Sequence, residues 1–220
     1  MTKILVAWST GKDSALALHA LRKDDLDVAG LLTTVTDETA RIAMHDVREA
    51  LLDAQAEALG LPLTKVPLSP GAANEEYEQA MRRALEDWAD RGVTHVAFGD
   101  LFLEDIRAWR EDKMKGTGLD ALFPLWGTNT SELADRFVRE GFRAVVTCVD
   151  TTRADRSLVG REMDAAFFAE LPDDVDPCGE NGEFHSFCYD GPVFRHPVSW
   201  GRGDFSLRDD RFYSLDLLPD

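Results

Sequence analysis

The chain is poor in cysteine, in basic residues and in long apolar runs, and each shortage removes a class of protein. Three cysteines, Cys148, Cys178 and Cys188, occur in 220 residues. An odd number without framework spacing argues against a disulfide-stapled secreted scaffold and for reduced thiols in a cytoplasm. Cys178, His185 and Cys188 contain no Cys-x-x-Cys pair and lack a clear fourth ligand, which weighs against structural zinc. Lys and Arg total 24 against 41 Asp and Glu, a formal net charge of −17. Contacts to phosphate backbones need clustered cations, so neither nucleic acid nor an anionic membrane surface is an expected partner. No apolar run approaches the length of a membrane span. The start, Met1 to Trp8, is too brief for a signal peptide and reads as a buried strand. What remains is an ordinary globular composition, 44% hydrophobic and 30% charged, without repeats and long enough to bury a substantial core.

Strand-like runs alternate with helical patterns through the first half. Ile4–Trp8, Val28–Val35, Leu63–Leu68 and Thr94–Phe98 read as strands. Between them Asp13–Leu21, His45–Leu59 (Val47, Leu51, Ala54 and Ala58 on one face) and Glu75–Ala89 carry a helical period, with Gly60 and Gly92 as stops. This order predicts an α/β fold, a doubly wound parallel sheet with helices on both faces. The second half is less regular. Helices are expected at Leu103–Lys115 and at Ser131–Glu140, the latter capped near Asn129, with Leu122–Gly127 a short strand or turn and Phe142–Val149 a strand. The alternation of Phe205, Leu207, Phe212 and Leu215 suggests a small separate sheet. The expected division is residues 1–127 as a nucleotide-binding domain and 128–220 as a smaller α+β substrate domain.

The sharpest signal is Ser9-Thr10-Gly11-Lys12-Asp13-Ser14, directly after the first strand and opening the first helix. A strand–loop–helix turn aims backbone N–H groups and a helix N-terminus at one spot, which suits an anion. Ser9 and Ser14 add hydroxyls, Lys12 adds a positive charge, and Gly11 permits close backbone approach. The loop is not a Walker sequence, because Asp13 rather than Ser or Thr follows the lysine.

Ser-x-Gly-Lys-Asp-Ser resembles the pyrophosphate loop of the ATP-pyrophosphatase superfamily, which cleaves ATP to AMP and diphosphate; Thr10 stands where the usual form has glycine. Arg41 to His45, Gly99-Asp100-Leu101, Arg107 to Glu111, Phe123 to Trp126 and Asp176 to Phe187 extend the likeness. In that order they resemble diphthine–ammonia ligase and its single-domain relatives over nearly the whole chain. The Gly179-Glu180-Asn181-Gly182-Glu183 form is similar to that of bacterial homologues. The resemblance implies a Rossmann-like pyrophosphate-loop domain and an amide ligase. ATP would activate a carboxylate, and ammonia would displace AMP. A glutamine amidotransferase domain does not fit this length, so free ammonia is the expected nitrogen source.

Such chemistry needs diphosphate charge stabilised, which Lys12 and the loop N–H groups can do. Mg²⁺ would neutralise more, with Asp13 and Asp100 as candidate ligands; Asp100 follows the fourth strand, where doubly wound sheets place ligands, and reads equally well as a turn cap. Gly99 accompanies it. By resemblance, Met44 packs on adenine and His45 lies near ribose or substrate. Glu104, Arg107, Arg110 and Glu111 lie at helical spacing, as exposed ion pairs or, by resemblance, with Arg107 and Arg110 on substrate or phosphate. Glu180 and Glu183 flank Asn181-Gly182, a strong turn signal; they can hold a cationic acceptor, bind ammonium or take its proton. Their distance from the loop in sequence places them on the acceptor half of the reaction. The acceptor is a carboxylate on a protein side chain or small molecule, and the reading leaves room for a homodimer. Two other classes compete: an RNA-thiolating or lysidine-forming relative, which the net charge disfavours, and a nucleotide-sensing module that has no use for the glutamates.

Overall fold

A computed structural model describes residues 2–36, 41–42, 45–68 and 74–220. The first half forms a sheet of β1 (Lys3–Ala7), β2 (Asp27–Thr36), β3 (Arg41–Ile42), β4 (Leu63–Leu68), β5 (His95–Ala97) and β6 (Asp120–Leu122). The order is β3-β2-β1-β5-β6, with β4 on the other side of β2; all pairs are parallel except the short β2–β3 contact. Helices α1 (Lys12–Lys23) and α2 (Glu49–Leu59) cover one face, and α3 (Asn74–Asp90) and α4 (Glu104–Met114) cover the other. The doubly wound expectation thus holds. Alternation along the strands explains it: Ile4 and Val6 of β1 join the α1–α2 core, whereas Leu5 joins Leu85, Trp88 and Met114 from α3 and α4.

The second half follows α5 (Thr130–Arg139), whose N-terminus is capped by Asn129 accepting from Ser131 N and Glu132 N. It builds an antiparallel sheet of β7 (Arg143–Asp150), β8 (Phe184–Asp190), β9 (Trp200–Arg208) and β10 (Phe212–Pro219), ordered β8-β7-β10-β9, with the short helix α6 (Ala165–Ala169) between β7 and β8. This sheet packs over α1 and α2, with β8 beside α1 and β10 beside α2. One apolar core therefore runs from β1 through Leu16, Leu51 and Leu52 to Val146, Phe187 and Leu215. The two helices are sandwiched between the sheets, and β8 reaches the loop after β1.

Two expected elements are displaced. The helix read from His45 begins at Glu49: Asp46 adopts a left-handed backbone (φ 57°), Asp46 N donates to Ile42 O, and Ile42 N donates to Val47 O. Strand β6 ends at Leu122, since Pro124 has no N–H to continue a ladder, and 123–128 is a run of turns. Asn181-Gly182 makes no β-hairpin: it lies in a self-wound loop that leads into β8.

Candidate active site

The loop after β1 sits at the point where β1 has β2 on one side and β5 on the other, the crevice that a doubly wound sheet opens at its switch point. Gly11 is the N-cap of α1, and Ala15 N is the first amide bonded within the helix, to Gly11 O. Ahead of it, Gly11 N reaches Ser9 Oγ (3.4 Å) and Lys12 N reaches Ser186 Oγ of β8 (3.2 Å). Asp13 N and Ser14 N find no acceptor among the described residues, and both residues line a pocket of about 270 Å³. Ser14 Oγ donates to Gly11 O (2.9 Å) and lies 3.3 Å from Ser9 Oγ.

Ser9, Lys12, Asp13, Ser14, His45, Gly99, Asp100, Arg110 and Glu180 all line this pocket. Thr10 and Gly11 are buried beneath it, Thr10 in a left-handed backbone at φ 71° with its Oγ1 unpartnered. A side chain at Gly11 is impossible without movement, since a Cβ would fall 2.8 Å from the His45 ring and 3.2 Å from Ser186 O. The same holds at Gly99, whose Cβ would lie 3.0 Å from the Asp13 backbone.

Lys12 is buried, with its Nζ 2.9 Å from both Asp13 carboxylate oxygens and donating to Cys178 O. Burial opposes its charge, but Asp13 and the neighbouring acids outweigh this and hold its pKa above the ordinary lysine value. Asp13 is pushed up by burial, with Lys12 offsetting only part of the rise. Asp100 receives Arg110 Nε at 2.7 Å and Nη2 at 3.3 Å, and the Arg110 guanidinium lies 4.4 Å over the Phe98 ring. Glu180 accepts from Leu101 N (2.8 Å); burial, with Asp13 and Asp100 adding to it, lifts its pKa to about 7.

The glutamate pair is split. Glu180 lines the pocket after β1, whereas Glu183 is buried, with Oε1 taking Asp176 N (3.0 Å) and Asn181 Nδ2 (3.1 Å) and Oε2 left without a partner. Asn181 is exposed and lies outside the pocket lining. Arg107 also stays outside: it pairs with Glu111 (2.8 Å) and lies 4.7 Å from the Trp126 ring. Glu104 is exposed at the start of α4. Met44 falls outside the described residues.

A second cavity of about 400 Å³ continues from Ala7 and Ser9 across Thr33, Thr34 and Ile42 to Met81, Leu85, Trp109 and Met114. His45 and His185 stand at the junction of the two cavities, ring centroids 4.9 Å apart, with His45 Nδ1 3.0 Å from Ser186 O. Burial lowers the His45 pKa to about 4 and the His185 pKa to about 3, so both are neutral near pH 7. Burial pushes the Cys178 thiol up to about 12, which leaves it unreactive.

Sequence reasoning did not place His185, Ser186 or Gln55 at the site. Ser186 and His185 lie in the Phe184–Phe187 stretch that carried the resemblance, and the signal for Gln55 is a polar residue spaced i±4 between Leu51 and Leu59 on the buried side of α2. Among the described residues no helix is long and apolar enough to cross a membrane.

Residues 2–121 match the family described as diphthamide synthase N-terminal domain, and residues 129–203 match diphthamide synthase C-terminal domain. The chain is 25% identical over 217 residues to a diphthine–ammonia ligase of Schizosaccharomyces pombe, covering 89% of this chain and 36% of that relative. It is 24% identical over 201 residues to the diphthine–ammonia ligase of Mus musculus (83% of this chain, 72% of the relative) and 23% identical over 178 residues to that of Bos taurus (74% and 67%). The chain thus spans about a third of the length of the fission-yeast relative.

Proposed function

Because the chain belongs to the diphthamide synthase family, we propose that it is an ATP-dependent, AMP-forming amide ligase that adenylates a carboxylate and aminates it with ammonia. The names of its relatives make the carboxylate of diphthine the acceptor to test first. One observation carries the reading: Lys12, the free Asp13 and Ser14 amides, Asp100 and Glu180 converge on one pocket at the start of α1.

In this reading residues 1–127 hold ATP and residues 128–220 supply the wall from which the acceptor and ammonia are handled. The triphosphate lies against the Asp13 and Ser14 amides and Lys12, which stabilise charge on departing diphosphate. The nucleoside follows the apolar cavity past Ile42, with the neutral His45 and His185 at its mouth. Ammonium must lose a proton before it attacks the adenylate. Glu180, with a pKa of about 7 and a place beside Lys12, has the strength and position of a general base. Glu183 fixes the loop that carries Glu180, through Asp176 N and Asn181 Nδ2.

No cluster of three or more ligating side chains occurs among the described residues. Mg²⁺ commonly takes only one or two carboxylates, with phosphate and water completing its shell, and the carboxylate-bearing Asp13 and Asp100 both line the pocket. The donors therefore fit an ion that arrives with ATP. Asp13 and Asp100 would hold it, and it would supply charge neutralisation for the phosphates.

The test is chromatography of a reaction containing ATP, ammonium and a diphthine-bearing protein. AMP and diphosphate in equal amounts, dependent on the acceptor, are expected; ADP as the main product would overturn the reading.

A further inference from the structure

We propose that Gln55 is a positioning residue for the phosphate loop, acting from α2 through the backbone of Thr10 and never touching the nucleotide. The inference rests on the reading of that loop as the phosphate site.

Gln55 is fully buried in the apolar layer between the two sheets, yet each polar atom of its amide is used. Oε1 accepts from the Trp8 indole Nε1 at 2.8 Å. Nε2 donates to Thr10 O at 3.0 Å and to Cys188 O at 2.6 Å. The orientation has no alternative: an indole N–H only donates and a backbone carbonyl only accepts, so the amide must face them this way. One side chain thereby joins the residue after β1, the phosphate loop and β8.

The point it grips is the strained one. Thr10 is β-branched and left-handed at φ 71°, a conformation that non-glycine residues keep only where the surroundings impose it. Its own hydroxyl gives no help, being buried without a partner. Its carbonyl takes two donors, Gln55 Nε2 and Cys188 N (2.9 Å), and it is this carbonyl plane that sets the Gly11 amide and the direction from which the chain enters α1. Without the Gln55 donors, the loop keeps the Cys188 contact but loses the tie to α2 and Trp8. Thr10 is then free to relax toward an ordinary φ, which turns the following amides away from the pocket.

The test is calorimetric titration of Gln55→Met and Gln55→Leu with ATP and, separately, with adenosine, beside wild type. Gln55→Met keeps the length of the side chain while removing both N–H donors, and it keeps the question answerable if Gln55→Leu fails to fold. We expect ATP affinity to fall 10-fold or more in either variant while adenosine affinity stays within about two-fold, because the loop contacts phosphate and the apolar cavity contacts the nucleoside. A general loss of structure would weaken both ligands. Equal losses for ATP and adenosine, or ATP affinity within two-fold of wild type, would overturn the role of Gln55. Wild type that binds no ATP would instead remove the functional reading, and the inference with it.

Discussion

Replacing Thr10 by glycine should make the protein more stable, although it deletes a fully buried side chain. The left-handed backbone at φ 71° costs a β-branched residue about 1–2 kcal/mol relative to glycine. Burying a hydroxyl with no partner costs about 1–3 kcal/mol more. Against these stand about 0.8 kcal/mol for the lost methyl and about 0.5–1 kcal/mol for the greater freedom of glycine in the unfolded chain. The balance is a gain of about 2 kcal/mol, and for a chain of this size each kcal/mol moves Tm by about 2–4 °C. Differential scanning calorimetry without ligand reads it, with Thr10→Val as the partner experiment. Valine keeps the branch and the strain but removes the orphaned oxygen, so its Tm should lie between wild type and Thr10→Gly. A Tm for Thr10→Gly at or below that of wild type would refute the strain argument, and no rise in Thr10→Val would mean that the hydroxyl finds a partner in solution.

Two further outcomes concern protons. Amide formation should rise with pH along a limb centred near pH 7 as Glu180 loses its proton; Glu180→Gln should cost roughly 100-fold or more and abolish that limb, and a Gln variant with an unchanged profile would assign the titration elsewhere. The two half-buried imidazoles give a stability signal of opposite origin. Their folded pKa values, about 4 for His45 and about 3 for His185, lie below the ordinary 6.5, so the unfolded chain binds more protons in between. Their contribution is fully present above pH 6.5 and is lost as pH falls through the folded values, roughly 2 kcal/mol per imidazole between pH 6.5 and 5. Urea midpoints measured at pH 7 and pH 5 should therefore separate widely in wild type and less in His185→Asn; an equal separation in both would show that His185 is not buried neutral.

The first half of the fold was legible because its signals are local. An apolar run, a Ser-x-Gly-Lys turn and a helical period need no distant partner, and Asn129 and Gly60 mark helix ends by their own chemistry. The beginning of α2 was read too early because Val47 continues the helical period through a turn that only the left-handed Asp46 reveals. The second sheet was legible as strands but not as a neighbour of the loop. Its order, β8-β7-β10-β9, is set by side chains far apart in sequence, and nothing local to Ser186 says that its hydroxyl will meet the Lys12 amide. Glu180 and Glu183 looked equivalent for the same reason. They are three residues apart in an irregular loop, where no fixed period assigns a face, and tertiary contacts turn one into the pocket and the other inward.

The charge of the pocket follows from that arrangement and connects it to the composition. Lys12 and Arg110 are its cations, and each is already committed, to Asp13 and to Asp100. Glu180 is the third acid and has one backbone amide, Leu101 N, in place of a cation. In a buried place a carboxylate so placed keeps its proton to higher pH, which is why it titrates near neutrality while Asp150, clasped by Arg211 elsewhere in the second sheet, is held below the usual carboxylate range. Under the proposed function, burial, with the neighbouring Asp13 and Asp100 adding to it, is what would give Glu180 the strength of a base near neutral pH. In the proposed function, a chain with 41 acids and 24 basic residues would meet the phosphates chiefly with backbone amides and one lysine, and Glu180 would take the proton.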